Sequence, residues 1–256
     1  GAPGKVGRNW VEMPDGAVRE MAGNDEIDLP EGTDEHDDEV YARGAANLKE
    51  LVRREVLVQD AEPCLYVYAQ RMGSHSQIGI VACASVAEYE RDLIRKHEKT
   101  RPDKENDRTR HIGELGAHDE PVFLTYRSVS GIDAAVAQIV GGEPVYDFTS
   151  DDEVHHRLWI VPGDQAVELT KLFREEVPVL YVADGHHRAA SAWRVRELRR
   201  ERGQGGGPAE RFLTVVFPAD QLSIMAYNRY VHDLNGLDTA AFLQKIEECF
   251  EVGLRF

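Results

Sequence analysis

The chain has 256 residues, 42% of them hydrophobic, which is enough to bury a real core as one large domain or as two lobes. Its 46 acidic residues outnumber its 30 lysines and arginines and give a formal net charge of −16. This balance argues against broad binding to nucleic acid or to an anionic membrane, because both depend on a basic surface. No apolar run approaches the ~18 residues of a membrane span, and no signal-peptide hydrophobic region is seen at the N-terminus, so we expect a cytoplasmic protein.

The N-terminal residues differ in composition from the rest of the chain. Residues 1–37 are rich in glycine, proline and acidic side chains and lack a sustained apolar period, which predicts an irregular arm. Residues 38–256 are predicted to form the folded domain. It begins with a helix over 38–56, where apolar residues recur at three- and four-residue spacing. Two β-rich runs then form a predicted hairpin, 64–71 and 78–84.

A charge-rich segment follows the hairpin. A capping box predicts a helix over 85–94 that leads into residues 97–111. Pro102 should interrupt this helix and leave Arg101 and Lys104 near a bend, because proline lacks the amide that a helix interior needs.

This segment contains the groups that phosphoryl transfer requires. Glu98 is a candidate general base, and His97 is the next candidate. Arg101 and Lys104 are cations suited to phosphates, and Asp107 offers a carboxylate for Mg²⁺. The alternative is a solvated helix crossed by i,i+4 ion pairs, and composition alone favours that interpretation.

The remaining elements alternate between strand and helix patterns and indicate an α+β fold with mixed sheets and packed helices. The predicted strands are 121–127, 144–148, 158–161, 212–217 and 222–231, and the predicted helices are 132–140, 164–174 and 239–250. Polar residues between two of these strands could be metal ligands, although a polar turn is the favoured interpretation; they are Asp151, Asp152, His155 and His156.

The most informative stretch is residues 178–193. An apolar run at 179–183 is too short for a helix and is followed by an Asp-Gly break and a helical pattern over 186–202, which predicts a buried strand running straight into a helix. Gly185 permits the tight turn. The free amides and positive dipole at such a helix start suit a phosphate or a carboxylate, and Arg188 lies in the first turn.

The same stretch has simpler interpretations. Asp184 could merely cap the helix, with His186, His187 and Arg188 as solvated first-turn residues. A zinc site is disfavoured, because adjacent histidines on a helix point roughly 100° apart and do not readily face one ion.

Residues 96–105 and 183–188 together resemble domain-of-unknown-function family 1015. Further segments support the resemblance, which covers about residues 26–252; they are 63–68, 121–126, 146–148 and 226–229. The family is similar to the ParB and sulfiredoxin superfamily and, through it, to the free serine kinases. The family's proline-rich opening and its C-terminal part are missing, which indicates a fragment or a shortened member, truncated at the C-terminus.

The resemblance implies a ParB/sulfiredoxin-like core and a set of roles. A Gly-x-x-Arg motif at a helix start cradles nucleotide phosphates in those relatives, which corresponds here to Gly185, His186, His187 and Arg188. Glu98 would then deprotonate a substrate hydroxyl, and Asp184 or Asp107 would help to hold Mg²⁺ with ATP or ADP.

Three functions follow from these observations. The first is a kinase that uses a nucleotide to phosphorylate a small hydroxyl-bearing metabolite, with free serine as one candidate. The second is a non-catalytic nucleotide-binding module, a switch or assembly device of ParB type, and a homodimer is compatible with either. The third is a metal-dependent hydrolase that combines His186 and His187 with the histidine pair at 155–156.

Overall fold

The computed structural model describes residues 9–12, 18–21, 34, 36–225 and 231–251. The chain divides into two compact units, residues 1–222 and 223–256. Within the described residues the strands are β1 (Asn9–Glu12), β2 (Val18–Met21), β3 (Tyr66–Met72), β4 (His75–Ser85), β5 (Ile94–Arg95), β6 (Val122–Tyr126), β7 (Tyr146–Thr149), β8 (His155–Ile160), β9 (Leu180–Asp184) and β10 (Arg211–Pro218). The helices are α1 (Asp38–Arg53), α2 (Val86–Glu90), α3 (Pro102–Leu115), α4 (Ser130–Val140), α5 (Gly163–Glu176), α6 (His186–Glu201) and α7 (Thr239–Glu247).

The first unit is built on an eight-stranded mixed sheet with the order β5-β9-β6-β10-β4-β3-β8-β7. β10 runs parallel to β6 and β5 runs parallel to β9, while the other neighbours are antiparallel. The predicted α+β class with a mixed sheet and packed helices is therefore confirmed. No helix among the described residues is both long and apolar enough to cross a bilayer.

The core lies between this sheet and the helices that pack on it. In β6, Val122, Leu124 and Tyr126 alternate inward and are at most 2% exposed. Ile132 of α4 and Leu169 of α5 are fully buried in the same cluster. Period-2 burial in the strand and a buried stripe on each helix are what packing of helices on a sheet face requires.

Two predictions about the charge-rich segment were wrong in detail. The helix predicted over 85–94 ends at Glu90, and Asp92 adopts a positive φ of 60° before β5 begins. Pro102 begins α3 instead of interrupting a helix. A proline is well placed in the first turn, because the amide that it lacks has no intrahelical partner there.

Three further predictions also differ from the structure. The region predicted as an irregular arm contains an antiparallel pair, in which Asn9 of β1 lies opposite Met21 of β2. The strand predicted over 222–231 is absent from residues 222–225, which have no regular structure, and residues 226–230 lie outside the described residues. The predicted polar turn at 151–156 ends earlier, since His155 and His156 already belong to β8.

Candidate anion-binding site at the start of a helix

The strand-to-helix junction predicted at residues 179–202 is present. β9 ends at Asp184, and α6 begins at His186. Between them Gly185 has φ 88° and ψ 31°, a left-handed conformation that glycine adopts without steric cost. Because Gly185 is the N-cap residue, no side chain at that position caps the first-turn amides of the helix. The positive end of α6 is thus available for an anion.

Gly185 also provides space for the first-turn arginine. A Cβ atom placed on Gly185 would lie 2.9 Å from Nε and 3.0 Å from Nη2 of Arg188. The guanidinium group therefore folds back over the glycine. Any side chain at this position would displace it.

Replacement of Gly185 by alanine is expected to lower the free energy of unfolding by about 1–2 kcal/mol, because alanine is strained in a left-handed backbone conformation. Gly113→Ala is the matched control: it lies inside α3, and a Cβ atom placed there would meet no atom within 4 Å. That control should stabilise the protein by about 0.5–1 kcal/mol. Urea unfolding measures both changes, and equal effects at the two glycines would contradict the strained junction.

Arg188 is held by the protein itself. Its Nη2 donates to Asp184 Oδ2 at 2.8 Å, and its Nη1 donates to the carbonyl of Pro121. Glu120 Oε2 lies 3.5 Å from Nη1, and the arginine side chain is only 14% exposed. Asp184 therefore pairs with Arg188 and does not cap the helix. An anion at this helix start would therefore compete with the Asp184 carboxylate for Arg188.

The charge-rich segment meets the first turn of α6. The backbone amide of Arg101 donates to His187 Nε2 at 3.0 Å. The rings of His97 and His186 are in edge-to-face contact, with centroids 4.4 Å apart. Glu98 Oε2 lies 3.4 Å from His186 Nδ1. The two segments that carry the family resemblance are therefore adjacent in space.

His186 is a deeply buried polar residue at this meeting point. It is 4% exposed, and its Nε2 is buried without a hydrogen-bond partner among the described residues. Burial lowers the pKa of His186 and the neighbouring His97 lowers it further, while Glu98 acts in the opposite direction. The imidazole is therefore neutral at neutral pH.

This lowered pKa predicts a pH dependence of stability. The unfolded chain takes up a proton near the ordinary histidine pKa of about 6.5, whereas folded His186 does so only at lower pH. The unfolded state thus binds more protons below about pH 6.5, and the free energy of unfolding must fall as the pH falls. We expect urea unfolding at about pH 7.5 and about pH 5.5 to show this loss, and His186→Gln to reduce it.

Burial also lowers the pKa of His118 and of His156, so the variant should remove only part of the loss. An equal loss in the variant and the wild-type protein would contradict the buried neutral state of His186.

Glu105, which no sequence motif indicated, holds the charge-rich segment on α6. Ser191 donates to its carbonyl at 3.1 Å, and Arg194 donates to its carboxylate at 3.2 Å and to Asn106 Oδ1 at 2.7 Å. The same carboxylate accepts from Thr100 Oγ1 at 2.7 Å. No local pattern marks Glu105 among so many charges, because its partners lie on a distant helix.

The predicted Mg²⁺ ligands do not fit a common site. Asp107 faces α1, where it accepts from the hydroxyl of Tyr41 at 2.6 Å and lies 3.1 Å from His36 Nδ1. Asp184 is engaged with Arg188. Across the described ranges, no group of three or more histidines, cysteines, aspartates or glutamates is placed to hold a metal ion.

Two predicted phosphate-binding cations also lie at the surface. Arg101 pairs with Asp103 at 2.6 Å, and Lys104 is exposed in the first turn of α3. Both remain candidates for long-range attraction of an anion, because neither guanidinium nor ammonium is buried.

The metal-dependent hydrolase hypothesis is contradicted by the sheet order. The 155–156 pair lies on β8, and His186 follows β9. Four strands separate β8 from β9 in the sheet: β6, β10, β4 and β3. At ~4.8 Å per strand this separates the two histidine pairs by roughly 24 Å. His155 instead pairs with Asp147 at 2.6 Å, and His156 Nδ1 lies 2.6 Å from the hydroxyl of Tyr68.

A sizeable surface cavity in the first unit lies away from this junction. Its volume is about 780 Å³, and Cys83, His118 and Arg211 are among its lining residues. It shares no residue with the start of α6. The chemistry of the junction, and not cavity size, therefore identifies the candidate site.

Comparison with known proteins gives a family but no function. No curated protein and no solved structure matches the chain. A family model described as "Protein of unknown function (DUF1015)" matches residues 24–255, which is most of the sequence. The chain therefore belongs to the DUF1015 family.

Proposed function

We propose that this protein transfers a phosphoryl group from a nucleotide to the hydroxyl of a small metabolite, and that the phosphates bind at the start of α6. The observation that carries the proposal is the meeting of Glu98 and Arg101 with the first turn of that helix. Phosphoryl transfer depends on positioning and on electrostatic stabilisation, and this junction combines an anion-binding helix start with a carboxylate that can act as a base.

The choice of a nucleotide as phosphate donor and of serine as a candidate acceptor comes from the resemblance to the ParB and sulfiredoxin superfamily and its free serine kinases. In that comparison the Gly-x-x-Arg motif corresponds to residues 185–188. The left-handed Gly185 and the uncapped first turn of α6 support the same placement on physical grounds. The acceptor class is a small molecule that carries a hydroxyl group.

We expect a bound phosphate to take the place of the Asp184 carboxylate on Nη2 of Arg188. The Asp184 carboxylate is 62% exposed, and such surface ion pairs contribute about 0–1 kcal/mol. A phosphate carries more negative charge than a carboxylate and can also accept from the first-turn amides of α6, so the exchange favours a bound nucleotide. Pro121 and Glu120 stay on Nη1 and keep the guanidinium oriented during the exchange.

Glu98 is the proposed base. Its carboxylate is 61% exposed, so a substrate hydroxyl can reach it, and its neighbour His186 is a neutral ring and not a competing cation. The hydroxyl oxygen would attack the terminal phosphorus while its proton passes to Glu98, and the nucleotide would leave one phosphate shorter. No step is assigned to Mg²⁺, because Asp107 and Asp184 do not form a site for it.

Direct measurement of product tests this function. The protein is incubated with serine and with ATP or ADP radiolabelled on the terminal phosphate, and labelled phosphoserine is separated and counted. Transfer that depends on the protein supports the proposal. Nucleotide hydrolysis without transfer to serine or to other small alcohols would contradict it.

A second candidate is a nucleotide-binding switch without catalysis. The pairing of Arg188 with Asp184 favours it, since a bound phosphate would release Asp184 at the point where β9 passes into α6. This candidate expects saturable nucleotide binding, no product, and a change of oligomeric state with nucleotide.

A further inference from the structure

A second cleft lies between α4 and the sheet. Its volume is about 200 Å³, and its walls include Ile78 and Ile80 of β4 with Val136 and Val140 of α4. Taking ~30 Å³ per water molecule, it has room for a ligand of roughly six to eight heavy atoms. The walls are mostly apolar, and none of the residues that line it belongs to the α6 junction.

Two carboxylates give this apolar cleft a negative rim. Asp133 lines it, and Asp220 immediately precedes the lining residue Gln221. Neither aspartate forms an ion pair with any residue in the described part of the chain, although the Ser128 hydroxyl donates to Asp220. Partial burial raises the pKa of Asp133, and the nearby Asp220 raises it further. A positive charge placed between the two would relieve their repulsion.

The cleft also carries an unused polar group, the hydroxyl of Tyr126. Tyr126 lines the cleft and is 2% exposed. Its hydroxyl has no hydrogen-bond partner among the residues that the structure describes. A tyrosine hydroxyl can donate a hydrogen bond or accept one, so it is available to a ligand that enters the cleft.

We propose that this cleft binds a small protonated aliphatic amine, with its apolar chain against Ile78, Ile80 and Val136 and its ammonium group between Asp133 and Asp220. The apolar walls select the chain, and the two unpaired carboxylates select the charge. The site is independent of the proposed phosphoryl transfer, because the two share no residue.

The probe is n-pentylamine, and 1-pentanol is its neutral analogue of the same length. Titration of the ¹⁵N-labelled protein is followed by amide chemical shifts at about pH 7.5, where the amine is protonated. We expect shifts in α4 and at the end of β10, and an affinity for the amine about three- to tenfold above that for the alcohol. The double variant Asp133→Asn/Asp220→Asn should bind both probes equally, whereas the control Asp151→Asn should keep the preference.

Val136→Phe, which fills the cleft and keeps both carboxylates, should abolish binding of the amine. The proposal is overturned if the amine and the alcohol bind the wild-type protein equally, or if the double variant keeps the preference for the amine. Shifts confined to other surfaces would also overturn it. So would a self-association that Val136→Phe prevents, because the cleft would then serve a second copy of the chain.

Discussion

Glu98→Gln is expected to lower the rate of phosphoryl transfer by about 10²–10⁴-fold, the usual contribution of a general base, and to leave nucleotide affinity nearly unchanged. The amide has the size of the carboxylate but cannot accept the hydroxyl proton. Since the group is 61% exposed and 3.4 Å from His186, its replacement removes no buried ion pair. Steady-state kinetics and a calorimetric nucleotide titration measure the two effects separately.

Glu114→Gln is the matched control, because it neutralises an exposed glutamate near the end of α3. It should leave both measurements unchanged. Equal loss of affinity and rate in Glu98→Gln would make Glu98 a structural residue, and full activity would transfer the role of base to His97 or His186.

Arg188→Ala is expected to weaken nucleotide binding by about 10- to 100-fold, which corresponds to about 1.5–3 kcal/mol. It should also lower the free energy of unfolding by about 1–3 kcal/mol, because the carbonyl of Pro121 loses its donor. Both effects follow from one guanidinium group that ties α6 to the start of β6 and faces the proposed phosphates. Calorimetric titration and urea unfolding of the same variant measure them.

Arg202→Ala provides the control for charge, since it removes an exposed arginine at the other end of α6. It should change neither quantity. Loss of stability with unchanged nucleotide affinity in Arg188→Ala would show that the arginine only holds the fold together.

The elements that could be predicted from the sequence are those whose structure is determined by residues close together in the chain. β6 and β9 were predicted because burial on a sheet imposes apolar patterns on short runs, and α6 because a helical pattern follows Gly185. β5 was missed, since this two-residue strand exists only through its pairing with Leu180 and Tyr181 of β9. A strand that forms only by pairing with a distant strand shows no periodic pattern of apolar residues in the sequence.

In the candidate site, too, the local features could be predicted from nearby residues and the contacts between distant segments could not. The helix start and its glycine follow from local chemistry, whereas only the family resemblance implied that Glu98 would lie near the first turn of α6, where it contacts His186. The distant partners of Arg188 could not be predicted, because they depend on the register in which Asp184 lies opposite Phe123 of β6. That register brings residues 120–121 beside the arginine.

A crystal structure with bound ADP tests the central claim most directly. We expect a terminal phosphate oxygen at about 2.7–3.2 Å from the first-turn amides of α6 and from Nη2 of Arg188, with the Asp184 carboxylate displaced. A structure in which Asp184 stays paired with Arg188 and ADP binds elsewhere would contradict this claim. The cavity beside Cys83 and His118 is one such place.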